Sequence, residues 1–220
     1  MKDPKFNLYV CHSGTVRIAP GAELSRVYVD GGGELIVDSG ASVHGVMLDH
    51  AGSLTVYRGG YADQVIENGG FVDDQSAPED SNIYYKEHTV LCAHVNMHQD
   101  MSIHSGTVAS DVCVHPGGFL MIYSGGSAMD VRLEDAINAE GVFDEFGDSC
   151  AAANLQLLDG GYVSGCHIGS GAEFRVSSGG TALGLVLEQG AILSFQQGAK
   201  VEYKERQIVP YKPEDEEDDE

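Results

Sequence analysis

Along most of this chain apolar residues fall at every second position, in short runs broken by glycine. Val16 and Ile18, Leu35 and Val37, Leu54 and Val56, Met101 and Ile103, Leu120 and Ile122, Phe174 and Val176, and Leu193 and Phe195 each form one such pair. A glycine follows each pair, and after all but the last a second alternating run begins: GAELSRVYVD from Gly21, GASVHGVMLD from Gly40, GYADQVIEN from Gly60, GTVASDVCVH from Gly106, GSAMDVRLE from Gly126 and GTALGLVLE from Gly180; GYVSGCHI from Gly161 is a seventh run of the same kind. Alternation with period two predicts strands that present one face to a core. Helical spacing is absent from these stretches. The glycines supply the positive φ that tight corners between strands demand.

The runs keep a register. Val27, Val46, Val65, Val112, Val131, Cys166 and Leu185 hold equivalent places, and the intervals between them are 19, 19, 47, 19, 35 and 19 residues. The two odd intervals are 19 plus 28 and 19 plus 16. A fixed period near twenty defines a solenoid, in which each coil buries its inward residues only against its neighbours. The pattern therefore predicts an all-β chain: a parallel β-helix of about 19-residue coils, equivalent strands pairing about 4.8 Å apart along the axis. Right-handed winding is the default for parallel crossovers. Residues 1–13 read as a cap on the first coil and 14–203 as the repeat domain. Insertions fall at 73–91 and 137–155, the first ending in a candidate strand pair (IYYKEHTVL), the second in a short helix or strand (CAAANLQLL). Residues 204–220 form an acidic tail expected to be disordered.

The Gly-Gly punctuation, the 19-residue period and the x-V-x-V strands over 14–203 resemble the AIDA-type repeats of autotransporter adhesin passenger domains. The resemblance implies a bacterial surface or secreted protein acting in adhesion and aggregation, with a protein or glycan surface as partner. The first residues, MKDPKFNLYV, lack the apolar stretch of a signal peptide, which points instead to a cytoplasmic protein.

Composition narrows the partners. Thirty-four acidic against twelve basic residues give a net charge of −22, opposite to what nucleic acid or an anionic membrane attracts. There is no run of 18 apolar residues to insert in a membrane. Tryptophan is absent, which disfavours an aromatic sugar-stacking groove. Five cysteines (Cys11, Cys92, Cys113, Cys150, Cys166) without close pairing do not make a disulfide framework. Cys166 holds a core position; Cys113, one place later than the anchor, points outward.

The same place in the first coils is held by Tyr28, Met47 and Ile66. With Val27 and Val29 inward, these three form an outward apolar stripe, the candidate contact surface for a partner or a second copy. Two places further on lie Asp30, Asp49 and Asn68, a row of oxygen ligands that would suit Ca²⁺, the one ion the sequence suggests; a solvated turn explains the same residues. His88, His94, His98 and His104, with Cys92 among them, are transition-metal ligand types, but no Cys-x2-Cys pair accompanies them. Cys113 with His115 or His94 is the one nucleophile–base pairing, disfavoured by an expected alternation of faces. The fold and stripe point to a non-enzymatic protein of adhesion or interaction scaffolding, with no catalytic residue assigned. The alternative is a carbohydrate-active β-helix enzyme, a polysaccharide lyase or hydrolase, for which Asp30, Asp38 and Asp49 would have to converge.

Overall fold

The computed structural model describes residues 6–76, 80–136 and 152–204. They form a parallel β-solenoid of about nine turns of roughly 19 residues, with no α-helix among them. Each coil contributes one short and one long strand. In the first part the short strands β2 (Thr15–Ile18), β4 (Glu34–Val37), β6 (Ser53–Val56) and β8 (Phe71–Asp74) stack as one sheet. The segments β1 (Leu8–Val10), β3 (Glu23–Val29), β5 (Ser42–Asp49), β7 (Tyr61–Asn68) and β9 (Ile83–Tyr85) stack as another. The second part repeats the scheme. Its short strands are β12 (Asp100–Ile103), β15 (Phe119–Ile122), β17 (Asn154–Leu157), β19 (Glu173–Val176) and β21 (Ile192–Phe195). Its long side runs through β10 (His88–Leu91), β13 (Thr107–Ser110), β16 (Ser127–Leu133), β18 (Tyr162–Ile168), β20 (Thr181–Leu187) and β22 (Lys200–Tyr203). Two short strands, β11 (His94–Val95) and β14 (Cys113–Val114), complete it.

The register is the one the sequence period demands. Val27 pairs with Val46, Leu35 with Leu54, Leu155 with Phe174, and Ala128 with Val163, all in parallel. Each long strand turns a corner just before its anchor valine, at Arg26 (φ 57°), Gly45 (φ 72°) and Gln64 (φ 49°). Gly45 takes that conformation without strain; Arg26 and Gln64 take it because stacked neighbours on both sides fix the corner. Close approach governs Gly52: a Cβ there would run into the Val29 carbonyl of the coil below.

Pairing redraws the expected insertions. Asp73 and Asp74 close β8, which pairs with β6 at an interval of 18 residues, and 88–91 rejoin the coil as β10, so the expected insertion shrinks to 75–87. The IYYKEHTVL segment does supply two strands, but they do not pair with each other: β9 adds to β7 and β10 to β13. Asn154 and Leu155 belong to β17, which makes the end of CAAANLQLL a strand rather than a helix. Residues 137–151, most of the second insertion, and 205–220, nearly all of the acidic tail, lie outside the described residues. The expected cap is only partly separate, because its Leu8–Val10 is the edge strand of the first sheet.

The core is a column of buried aliphatic side chains in two clusters, one from Val10 to Ile83 and one from Val90 to Leu185. Cys166 is fully buried in the second, as its anchor position predicts. Between the clusters the column is interrupted by a carboxylate. Val29, Leu48 and Glu67 occupy successive inward places, and Glu67 is completely buried. Burying a charge is tolerable only when its lone pairs are met. Here Ser102 Oγ donates to Oε1 at 2.6 Å, His104 N to Oε2 at 2.8 Å and Thr107 Oγ1 to Oε2 at 3.2 Å, while His104 Nδ1 lies 2.7 Å from Oε1. Ser102 Oγ also accepts from Val72 N, tying β8 to β12. His104 is in turn stacked between the rings of Tyr85 and Tyr123, with centroids 4.4 and 4.0 Å away.

Candidate functional site

The outward face of the long strands carries the side chains that core packing does not use. Tyr28, Met47 and Ile66 lie there in direct cross-strand register and are half-buried. The row starts one coil earlier than expected: Tyr9 pairs with Tyr28, and the rings of Tyr9 and Phe6 pack against the Tyr28 ring at 5.7 and 5.3 Å. Tyr9 sits 19 residues before Tyr28, so the period contained the signal, obscured by reading 1–13 as a separate cap. The Tyr28 hydroxyl donates to Asp49 Oδ2 at 2.8 Å. Desolvation first, then Asp49, raises its pKa well above the usual tyrosine range.

The row expected to bind Ca²⁺ is arranged differently. Asp49 accepts from Tyr28, from His50 N at 3.1 Å and from Asn68 Nδ2 at 3.1 Å, and His50 Nδ1 lies 2.8 Å from the same carboxylate. Asn68 thus turns its amide nitrogen, a donor, towards Asp49, and its oxygen lies 3.0 Å from His88 Nε2. Asp30 stands off, 3.9 Å from His50 Nδ1. A cation here would have to displace three donors from Asp49. Asp38, the third acid of the enzyme reading, lies in the turn after β4 and is held by Arg17 at 2.7 Å, away from Asp30 and Asp49.

Beyond the register break the same two outward rows change chemistry. The row of the apolar stripe becomes His94, Cys113, Arg132 and His167, in parallel register. The row two places on carries His115 and Glu134. Residues two apart in a strand share a face, so Cys113 and His115 point the same way, correcting the expected alternation. The ligand atoms of His94, Cys113 and His115 lie within 4.8 Å of one another, the one such His/Cys/Asp/Glu triple among the described residues. The two imidazoles are stacked, with His94 Nδ1 3.0 Å from His115 Nε2. On its other side His115 Nδ1 lies 2.8 Å from Glu134 Oε2, and Cys113 Sγ lies 3.5 Å from Glu134 Oε1. The hydrogen bond from His115 holds Glu134 below the usual carboxylate range, while burial and the Glu134 charge push the Cys113 thiol up to about 11. Of the earlier histidines only His94 joins this group; His104 serves Glu67, His88 faces Asn68, and Cys92 donates to Asp111.

By fold the molecule is a parallel β-solenoid repeat protein. No family model matches the chain, and no curated protein matches it by sequence. Among solved structures it is similar to the crystal structure of a TibC-catalysed, hyper-glycosylated TibA fragment. The identity is 18%, over 88% of this chain and 82% of that one, with a TM-score of 0.30.

Proposed function

We propose that this protein is a non-enzymatic β-solenoid scaffold that works by contact, as an adhesin passenger repeat of the AIDA type does. The observation that carries the reading is the outward row Tyr9, Tyr28, Met47 and Ile66, four large apolar side chains in register on a chain of net charge −22. Rows of this kind cost solubility unless they meet something, and stacking fixes their spacing before any partner arrives. The 19-residue repeat sequence supports the adhesin reading in particular. Its partners are a protein or glycan surface, including a second copy of the chain. Charge repulsion opposes self-contact, so screening by salt should strengthen it while apolar burial persists.

The test replaces Met47 by Lys and Ile66 by Ser, with circular dichroism to confirm the fold, and compares sedimentation at low and high salt. The wild type should sediment faster as salt rises and the double variant should not. A wild type that stays monomeric at every salt concentration, and binds immobilised protein and glycan surfaces no better than the variant, would overturn the proposal.

A further inference from the structure

We infer that His94, Cys113 and His115 form a zinc-class metal site that clasps two adjacent coils just past the register break. Three observations converge on it. The donor set, two imidazoles and a thiolate, is the one borderline-soft Zn²⁺ selects, and carboxylate-binding Ca²⁺ or Mg²⁺ does not. The spacing fits: Zn–N bonds of about 2.0–2.1 Å in a tetrahedron put two nitrogens roughly 3.3 Å apart, and His94 Nδ1 and His115 Nε2 already face each other at 3.0 Å. The third is the partner behind the ligand. Glu134 Oε2, 2.8 Å from His115 Nδ1, accepts the N–H there, fixes the tautomer and leaves the Nε2 lone pair facing His94 Nδ1, with Cys113 Sγ within 4.8 Å.

The backbone holds these groups before any ion arrives. His94 and Cys113 are register partners in paired parallel strands, and His115 follows two residues on the same face. Binding requires His94 to present the Nδ1 lone pair, its proton moving to Nε2, and Cys113 to lose its thiol proton to solvent, so one proton is released per ion bound. Water completes the tetrahedron, since His94 is exposed and Cys113 and His115 are half-exposed. The strongly acidic chain draws cations towards its surface. This inference stands apart from the contact function, because none of its residues belongs to the apolar row of the first coils.

The experiment titrates the full-length reduced protein with Co²⁺ and follows absorbance, then displaces Co²⁺ with Zn²⁺. One equivalent per chain should bind, with a thiolate-to-cobalt charge-transfer band and the intense visible bands of a tetrahedral ion, both erased by Zn²⁺. Cys113→Ser should abolish the charge-transfer band, and His94→Ala should weaken binding at least about 100-fold. Glu134→Gln should weaken it about 10- to 100-fold, as loss of an outer-shell partner does, while leaving the band's position unchanged. Cys92→Ser and Cys11→Ser, which remove the two thiols that are exposed among the described residues, should change nothing. If Cys113→Ser fails to fold by circular dichroism, the His94→Ala and Cys92→Ser pair decides alone. No charge-transfer band in the wild type, a band that survives Cys113→Ser, or equal loss in Cys92→Ser would each overturn the assignment.

Discussion

Replacing Glu67 by Leu sets two expectations against each other. Apolar bookkeeping favours the change, because Leu would continue the Val29–Leu48 column and contribute about 1.5–3 kcal/mol of burial. The hydrogen bonds oppose it. The His104 backbone N–H, the Ser102 hydroxyl and the Thr107 hydroxyl all donate to the carboxylate in a site where Glu67, Ser102 and Thr107 are fully buried. Ser102 cannot swing to another acceptor without giving up the bond its oxygen accepts from Val72 N. Each orphaned buried donor costs about 1–3 kcal/mol, so three of them outweigh the apolar gain by about 3 kcal/mol. At roughly 2–4 °C per kcal/mol for a chain of this size, the melting temperature should fall by about 10 °C. The two core clusters meet at this network, and a solenoid's cooperativity depends on such nearest-neighbour contacts. Urea unfolding followed by circular dichroism and by tyrosine fluorescence should therefore separate into two transitions. A midpoint equal to or above that of the wild type, with the two probes coincident, would refute the reasoning.

Two further outcomes follow from burial. Val46→Asp places an unpaired carboxylate in a core position that is 1% exposed, and should cost several kcal/mol, enough to unfold the coils around it; an unchanged thermal melt would show that Val46 is not part of the core. Tyr28, Tyr85 and Tyr123 all have their hydroxyl pKa values raised in the fold, chiefly by desolvation and then by neighbouring acids. Such groups contribute full stability below their unfolded pKa of about 10, and that stability is lost as pH rises through the higher folded value. Ultraviolet titration should then show some of the ten tyrosines ionising only as the fold is lost in alkali, whereas ten ionising together near pH 10 with the circular dichroism intact would contradict it.

The 19-residue register made the strands, the inward valines and the outward stripe legible, because each depends on period two and a repeated glycine corner. The junction was not, although its signal was present. Counting 19 from Leu48 reaches Glu67, which reads as a core place held by an acid, but its donors lie 35 to 40 residues further on, across the register break. Counting 19 back from Cys113 reaches His94, and 19 on from His115 reaches Glu134. Reading His94 with His88, His98 and His104 as one cluster, and not by its register, hid the first relation, and setting Cys113 and His115 on opposite faces hid the rest. Asp49 was misleading for another reason. Tyr28 reaches it from the neighbouring coil, and Asn68 faces it with nitrogen rather than oxygen, choices a period cannot specify.

The claim on which everything else rests is that both parts stack into one continuous solenoid across the break at 75–87. Spin labels at Glu23 in β3 and Lys200 in β22, in a background with the cysteines replaced by alanine, test it by electron–electron double resonance. From β3 through β5, β7, β10, β13, β16, β18 and β20 to β22 there are eight strand-to-strand steps. At about 4.8 Å each, they predict a single narrow distribution centred near 40 Å. A centre near half that value, from parts folded back side by side, or a broad distribution from independently moving halves, would contradict it.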